Sequence, residues 1–530
     1  MVAQHGIKLA VSLISAHFGE IVAKVCRCLL HKGTLTLSDI TRYTELPLQQ
    51  AKNCLLVLIQ HNCVQAFAIA KEGFGMTARA ITHYSAVYEN ILHRLRFSKF
   101  LTIVSEELDK ESEELVEGLL QHGRLTLEQM LLRAISKQNE GTSVYQDVVR
   151  TNFVRLVNLR YVERCPTSEP FLALNSEEET PSVGKRGPKS AKLVGLLETI
   201  EQRAMKAASP LKAERFFIVT NIGADVTEAK TGASTTNLML GEKRKHEALD
   251  TNGSDAATIC EKEVLWRVNF EEFVYHLRKK VCASNVRSRL DDGASIIFNA
   301  MLEASRSEEN LKSDDTVLLT MDAIFEEVMK SKDGRTMTLD HVRAGLTQLG
   351  CHPIIRDEEE YFSVDIKNVI EIAQNEEVES IMLKRYGKDA YRIFRLLSKT
   401  GHLAETEKVA DMAFVERKVA GKILCNLWKD GYLHMERVNF HESRQSQFLL
   451  WKVNKHFIKE HVLDEMCHAV LNLMQRMAYE LGKEHEILQL PREKRVGVSG
   501  ERFDRIRKVK ILLESSLLKL DDAIMLFSCF

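Results

Sequence analysis

The chain has 530 residues, too many for one hydrophobic core, and its length implies several domains of ordinary size. With 28% charged and 45% hydrophobic residues, 7% aromatics and only 8 prolines, the composition excludes a wholly disordered chain and favours helical domains over a β-sandwich. The 73 basic and 74 acidic side chains leave a net charge of −1, which excludes a polyelectrolyte drawn as a whole to nucleic acid.

The N-terminal residues Ile7, Leu9, Leu13 and Ile14 recur in helical rhythm among His5, Lys8 and Ser12. That pattern fits neither a signal peptide nor a membrane span, so no membrane partner is expected. The most informative feature follows. Leu29-Leu30-His31-Lys32-Gly33-Thr34-Leu35-Thr36-Leu37 returns 90 residues later as Leu119-Leu120-Gln121-His122-Gly123-Arg124-Leu125-Thr126-Leu127. Each copy reads as a helix end, a glycine stop and a short extended run that opens another helix.

After the first copy, Pro47 suits the first turn of a helix carrying Leu48, Ala51, Leu55, Leu58 and Ile59 on one face. The runs 64–69 and 74–78, around Lys71-Glu72-Gly73, predict a β-hairpin. Helix, short strand, helix, helix and hairpin is the order of a winged helix. The second copy supplies its third helix at 147–159, before Tyr161-Val162-Glu163-Arg164. A looser third copy runs from Ala323 through Asp333-Gly334-Arg335 to a helix at 340–349. A fourth runs from Ile393-Phe394 past Gly401 to a helix at 415–429, with a wing returning through Phe448 to Val453.

Between the second and third copies, 176–257 is rich in Ser, Thr, Gly and charge, and parts of it are expected to be disordered. Its clusters Lys185, Arg186, Lys189 and Lys243, Arg244, Lys245 are candidate nuclear-import signals. Beyond the fourth copy, Val462, Met466, Ala469, Leu473 and Met477, and then Phe503, Ile506, Val509, Leu513, Leu517, Leu520, Ile524 and Phe527, follow coiled-coil spacing on either side of a break at 491–500. The expected fold is mainly α with small β-wings: four tandem extended winged helices, then a C-terminal antiparallel coiled-coil hairpin. The expected boundaries are 1–83, 84–170, a partly disordered linker 171–258, 259–355, 356–456 and the hairpin 457–530.

Enzymatic motifs fail on inspection. Gly73-Phe74-Gly75 lacks the third glycine of a dinucleotide loop, Thr400-Gly401-His402 lacks the lysine of a phosphate loop, and Gln489 stands where a zinc-binding partner of His485 would be. The 11 cysteines form no CxxC pair, so neither metal, cofactor nor catalytic residue is expected. Local charge is more useful. Residues 1–83 carry 8 basic against 4 acidic side chains and 386–456 carry 13 against 8, whereas the two middle copies are slightly acidic. Candidate DNA contacts are therefore Lys52 and Lys71 in the first copy, with Arg417, Lys418, Lys422, Arg437 and Arg444 in the fourth. Base reading would call for more arginine and asparagine than these helices offer, so backbone or single-strand contact is expected.

The strings His17-Phe18-Gly19-Glu20-Ile21-Val22, Leu58-Ile59-Gln60-His61-Asn62, Asn152-Phe153-Val154-Arg155-Leu156, Arg164-Cys165-Pro166, Trp266-Arg267-Val268-Asn269-Phe270, Arg392-Ile393-Phe394-Arg395-Leu396 and Leu450-Trp451-Lys452-Val453-Asn454 closely resemble the largest member of the RNA polymerase III-specific heterotrimer, a relative of the alpha subunit of TFIIE. The resemblance implies a non-catalytic nuclear subunit bound to the two other trimer members and to the clamp of the polymerase's largest subunit. It also implies help with promoter opening through TFIIIB and the DNA near the active-centre cleft. The alternatives are a free-standing winged-helix regulator and a scaffold of another nuclear assembly.

Overall fold

The structure is a computed structural model that describes residues 3–71, 79–137, 143–167, 169–172, 199–210, 212–218, 264–309, 318–356, 359–439, 447–491 and 497–529. It divides into two compact units, one of Phe18–Glu272 and one that joins Met1–His17 to Phe273–Phe530. Among the described residues no helix is long and apolar enough to cross a membrane, and no group of His, Cys, Asp or Glu is placed to hold a metal.

In the unit Phe18–Glu272, the helix Glu20–Lys32 stops at Gly33, whose φ of 79° is a left-handed value that glycine adopts without steric cost. Strand β1 (Leu35–Thr36) leads into the helix Leu37–Thr44, which opens on a capping box between Thr36 and Asp39. The helix Leu48–Gln60 starts directly after Pro47 and buries Ala51, Cys54, Leu55 and Leu58. Strands β2 (Val64–Lys71) and β3 (Arg79–Ala86) pair antiparallel from Val64 opposite Ala86 to Lys71 opposite Arg79, and β1 pairs with β3. The returning strand expected at 74–78 lies outside the described residues. The observed one runs past the boundary drawn at 83, because β2 extends to Lys71 and its partner must match it across the turn.

The second copy repeats the plan. The helix Lys110–His122 stops at Gly123, β4 (Leu125–Thr126) follows, and the helices Leu127–Lys137 and Ser143–Asn158 lead to β5 (Val162–Arg164). Strand β6 (Phe171–Leu172) then adds parallel to β2, giving a four-stranded sheet in the order β1-β3-β2-β6. The helix Ile200–Ala208 sets Ala204 against Phe67 and Leu172, and Glu201 accepts a 2.6 Å hydrogen bond from Thr34. Part of the segment expected as a linker thus folds onto the first sheet, held by the few apolar residues it contains.

The partner of β5 arrives about a hundred residues later as β7 (Leu265–Val268), with Glu163 opposite Arg267 and sheet order β4-β7-β5. The boundary drawn at 259 assigns this strand to the third module, but its alternating apolar residues complete the second sheet. Trp266 meets Phe153 edge-on at 5.1 Å, and the buried Glu163 accepts bonds from Arg267 at 2.8 Å and from Arg215. The first two copies are also latched to each other. Gln60 donates to the carbonyls of His122 and Arg124 at 3.0 and 2.6 Å, and Arg124 donates to Asn62 at 2.9 Å.

In the other unit, the helices Asp292–Glu309, Met321–Lys330 and Leu339–Gln348 surround a core of Ile297, Met301, Ile324, Val328, Val342, Leu346 and Phe362. Strands β8 (Leu319–Thr320), β9 (Ile354–Arg356) and β10 (Glu359–Phe362) form the sheet β8-β10-β9, so the boundary drawn at 355 cuts this hairpin. Next come the helices Ile366–Tyr386 and Lys388–Thr400, then β11 (Ala404–Glu405), the helices Thr406–Ala413 and Arg417–Lys429, and β12 (His434–Asn439) and β13 (Gln447–Lys452), paired as β11-β13-β12.

Two long helices, Lys455–Lys483 and Val498–Ser528, pack against each other, and Arg502 near the start of the second bonds Glu484 just past the end of the first. The far end of the second is fixed to earlier helices: Gln374 donates to the Leu526 carbonyl at 2.7 Å and Arg278 to that of Cys529 at 3.3 Å. The N-terminal helix Gln4–Phe18 is tied in at its start, where the backbone N–H and ring of His5 both meet Asp464 at 2.7 Å.

Candidate nucleic-acid interface

The fourth copy presents its third helix, Arg417–Lys429, on a closely packed frame. Ala420, Leu424 and Leu427 are buried where this helix packs on the helix Lys388–Thr400, whose own buried residues include Ile393, Phe394 and Leu397 and which Gly401 ends in a left-handed turn. Trp451 of β13 is almost wholly buried, and its indole N–H donates to Thr406 at 2.8 Å, which satisfies the one polar atom of a large apolar ring. Behind the module, Tyr432 donates to Glu465 at 2.6 Å and Tyr386 to Asp430 at 2.6 Å, while Arg385 grips Glu465 at 2.9 and 3.1 Å. Burial first, then the carboxylate partners, push both tyrosine hydroxyls to high pKa, so they remain proton donors. These bonds fix the module to the helices Ile366–Tyr386 and Lys455–Lys483.

On this frame Lys418 and Lys422 stand exposed one helical turn apart, and Arg437 is exposed on β12. Among the described residues these three make no ion pair. Arg417 differs, because Glu407 and Asp411 of the preceding helix lie 3.4 and 3.6 Å from it and offset its charge. Arg444, Lys185, Arg186, Lys189, Lys243, Arg244 and Lys245 lie outside the described residues. In the first copy, Lys52 is exposed between Leu48 and Leu56, themselves exposed and one turn away on either side. Lys71 ends β2. The structure therefore brings Lys418 and Lys422 together, leaves Arg437 on the adjoining hairpin, and places Lys52 and Lys71 in the other unit.

One exposed residue escaped sequence reasoning. Phe414, in the turn between the helices Thr406–Ala413 and Arg417–Lys429, is 91% exposed at a left-handed φ of 54°. Nothing in its spacing marks it, since an aromatic next to an apolar helix reads as core. With Met412 and Val419, also exposed, it makes the surface around Lys418 mixed rather than purely cationic.

Comparison with known proteins decides the family. Residues 8–69 match the RNA polymerase III subunit RPC82 helix-turn-helix domain, 151–373 match RNA polymerase III subunit RPC82, and 378–453 match the POLR3C C-terminal winged-helix domain. The chain belongs to the RPC82/RPC3 family of RNA polymerase III subunits. Among its relatives, DNA-directed RNA polymerase III subunit RPC3 of Homo sapiens is 25% identical over 499 residues, covering 92% of this chain and 86% of the human protein. That of Danio rerio is 25% identical over 513 residues, with 92% and 87% coverage, and that of Dictyostelium discoideum 21% over 625, with 91% and 93%. The RPC3 match thus spans both units, and winged-helix domains are part of it.

Proposed function

We propose that this chain is a non-catalytic, nuclear subunit of DNA-directed RNA polymerase III, built from four tandem extended winged helices and a C-terminal antiparallel coiled-coil hairpin. It joins two other subunits in a heterotrimer on the clamp of the largest subunit. There it supports promoter opening, with TFIIIB and the DNA near the cleft, at genes for small non-coding RNAs such as tRNA and 5S rRNA. The observation that carries this reading is the order of the family matches, from residue 8 to residue 453, each falling on helices that precede a small sheet.

The DNA contact is non-specific, through Lys418, Lys422 and Arg437, with Lys52 and Lys71 as lesser contributors. The ion-paired Arg417 and the apolar neighbours of Lys418 support a mixed surface that meets protein as well as phosphate. The basic clusters at 185–189 and 243–245 serve nuclear import. Affinity purification of the tagged full chain from nuclear extract tests the assignment. The large subunits of polymerase III are expected to co-purify through a high-salt wash, and a preparation that lacks them rejects it.

A further inference from the structure

The long helix Val498–Ser528 has an apolar seam at steps of three and four. Ile506 and Ile524 are buried and Leu513 and Leu517 half-buried along it. Ile511 and Leu512 fall outside that series, and in mid-helix they stand 57% and 65% exposed. One turn before them are Arg507 and Lys508, with Arg505 and Lys519 extending the same side of the helix. One turn after them are Ser515 and Ser516, whose hydroxyls both bond back to the Leu512 carbonyl, at 2.9 and 2.8 Å, and so add little bulk. Lys510 lies 3.6 Å from Glu514, but among the described residues Arg505, Arg507, Lys508 and Lys519 make no ion pair. Between 502 and 520 the helix carries six basic residues and two acidic ones.

We infer that this face is a docking surface for an amphipathic helix of a protein partner, with apolar residues that cover Ile511 and Leu512 and an acidic rim that meets Arg505, Arg507 and Lys508. Three considerations select that occupant. Adjacent aliphatic side chains are stabilised only when covered by apolar surface, and the low serine ledge lets a helix approach. Nucleic acid would satisfy the cations but set phosphate against the aliphatic pair, and the face offers no aromatic ring for a base to stack on. A second copy of this chain would bring its own basic face to the same place, so like charges would oppose the pairing.

The inference uses the proposed function only as the source of the assembly to be tested. Benzoylphenylalanine is placed at Leu512 of the full-length tagged chain, the native complex that purifies with it is irradiated, and the adduct is identified by mass spectrometry. Loss of polymerase from that complex counts against the proposed function, whereas the adduct judges this inference. The expected result is one adduct, to an acidic, helix-patterned segment of another protein. Its yield should fall about tenfold in the Arg507→Glu, Lys508→Glu variant, and also in Ile511→Ala, which adds no charge. An adduct to nucleic acid or to a second copy, no adduct at all, or a yield unchanged by the charge reversal overturns it.

Discussion

Gly33 and Gly123 hold equivalent places in the repeat, yet their surroundings differ. Both have φ near 80°, but a Cβ on Gly33 would meet open space, while one on Gly123 would lie 2.0 Å from the Gln60 carbonyl oxygen. Gly33→Ala is therefore expected to cost about 1 kcal/mol from backbone strain alone. Gly123→Ala should cost about 3 kcal/mol or more, because the latch between the first two copies must also open. Thermal melts of the two variants check this, and equal losses would mean that the latch does not bear on stability. His93 makes a second residue-scale case. It is nearly buried, Arg96 donates to its Nδ1 at 3.1 Å, and burial, followed by the Arg96 charge, lowers its pKa from 6.5 to about 3. Folded, the ring stays neutral; unfolded, it takes a proton below about pH 6.5. Its contribution is thus fully present above that pH and is lost as pH falls toward 3. His93→Gln should flatten the decline in Tm between pH 6.5 and 4.5, and parallel declines in the two proteins would reject the assignment.

For single elements, the helix Arg417–Lys429 shows what patterning reveals and what it hides. Its existence and inward face were legible because Ala420, Leu424 and Leu427 follow helical spacing, and the Trp451 strand was legible from its apolar run. The pairing of Arg417 was not, since Glu407 and Asp411 belong to another helix and reach it only through the turn at Phe414. This changes the expected ranking of the cations. Lys418→Glu with Lys422→Glu should weaken binding of the assembled complex to an opened DNA duplex and reduce the slope of log affinity against log salt by about 1 to 2. Arg417→Glu alone should do less. Asp411→Asn should strengthen binding slightly by releasing Arg417. Fluorescence anisotropy at several salt concentrations reads all three, and a salt slope indifferent to the lysine reversal would remove this helix from the DNA-contact surface. Exposed ion pairs contribute little to stability, about 0 to 1 kcal/mol, so the Asp411 variant should keep its fold.

At the scale of the whole chain, local signals mark helix ends and turns but not which strands pair across long distances. A strand of two to four residues carries too little periodicity to declare its partner, and β7 lies about a hundred residues from β5 because helical and other segments intervene. Closure across that distance is itself testable. The second sheet is held by β7 between β4 and β5, by Trp266 against Phe153, and by Glu163, only 3% exposed, between Arg267 and Arg215. Arg215 also reaches Asn269 at 3.2 Å and Glu271 at 2.7 Å, which ties both sides of the insertion together. A protease site inserted at 240 and cleaved in the native protein should therefore leave two fragments that co-elute on size exclusion and separate only on denaturation. Trp266→Ala removes an aromatic core contact, with an expected cost of about 3 to 5 kcal/mol, and should lower the denaturant concentration at which the cleaved fragments part. Arg267→Ala should act in the same direction, because it strips one partner from a buried carboxylate. If the uncut Trp266→Ala protein melts cooperatively, the earlier separation reports the lost sheet contact, since the helix Gln4–Phe18, tied to Asp464, spans the cut in both proteins. Fragments that part without any substitution would show that β7 does not hold the second sheet closed.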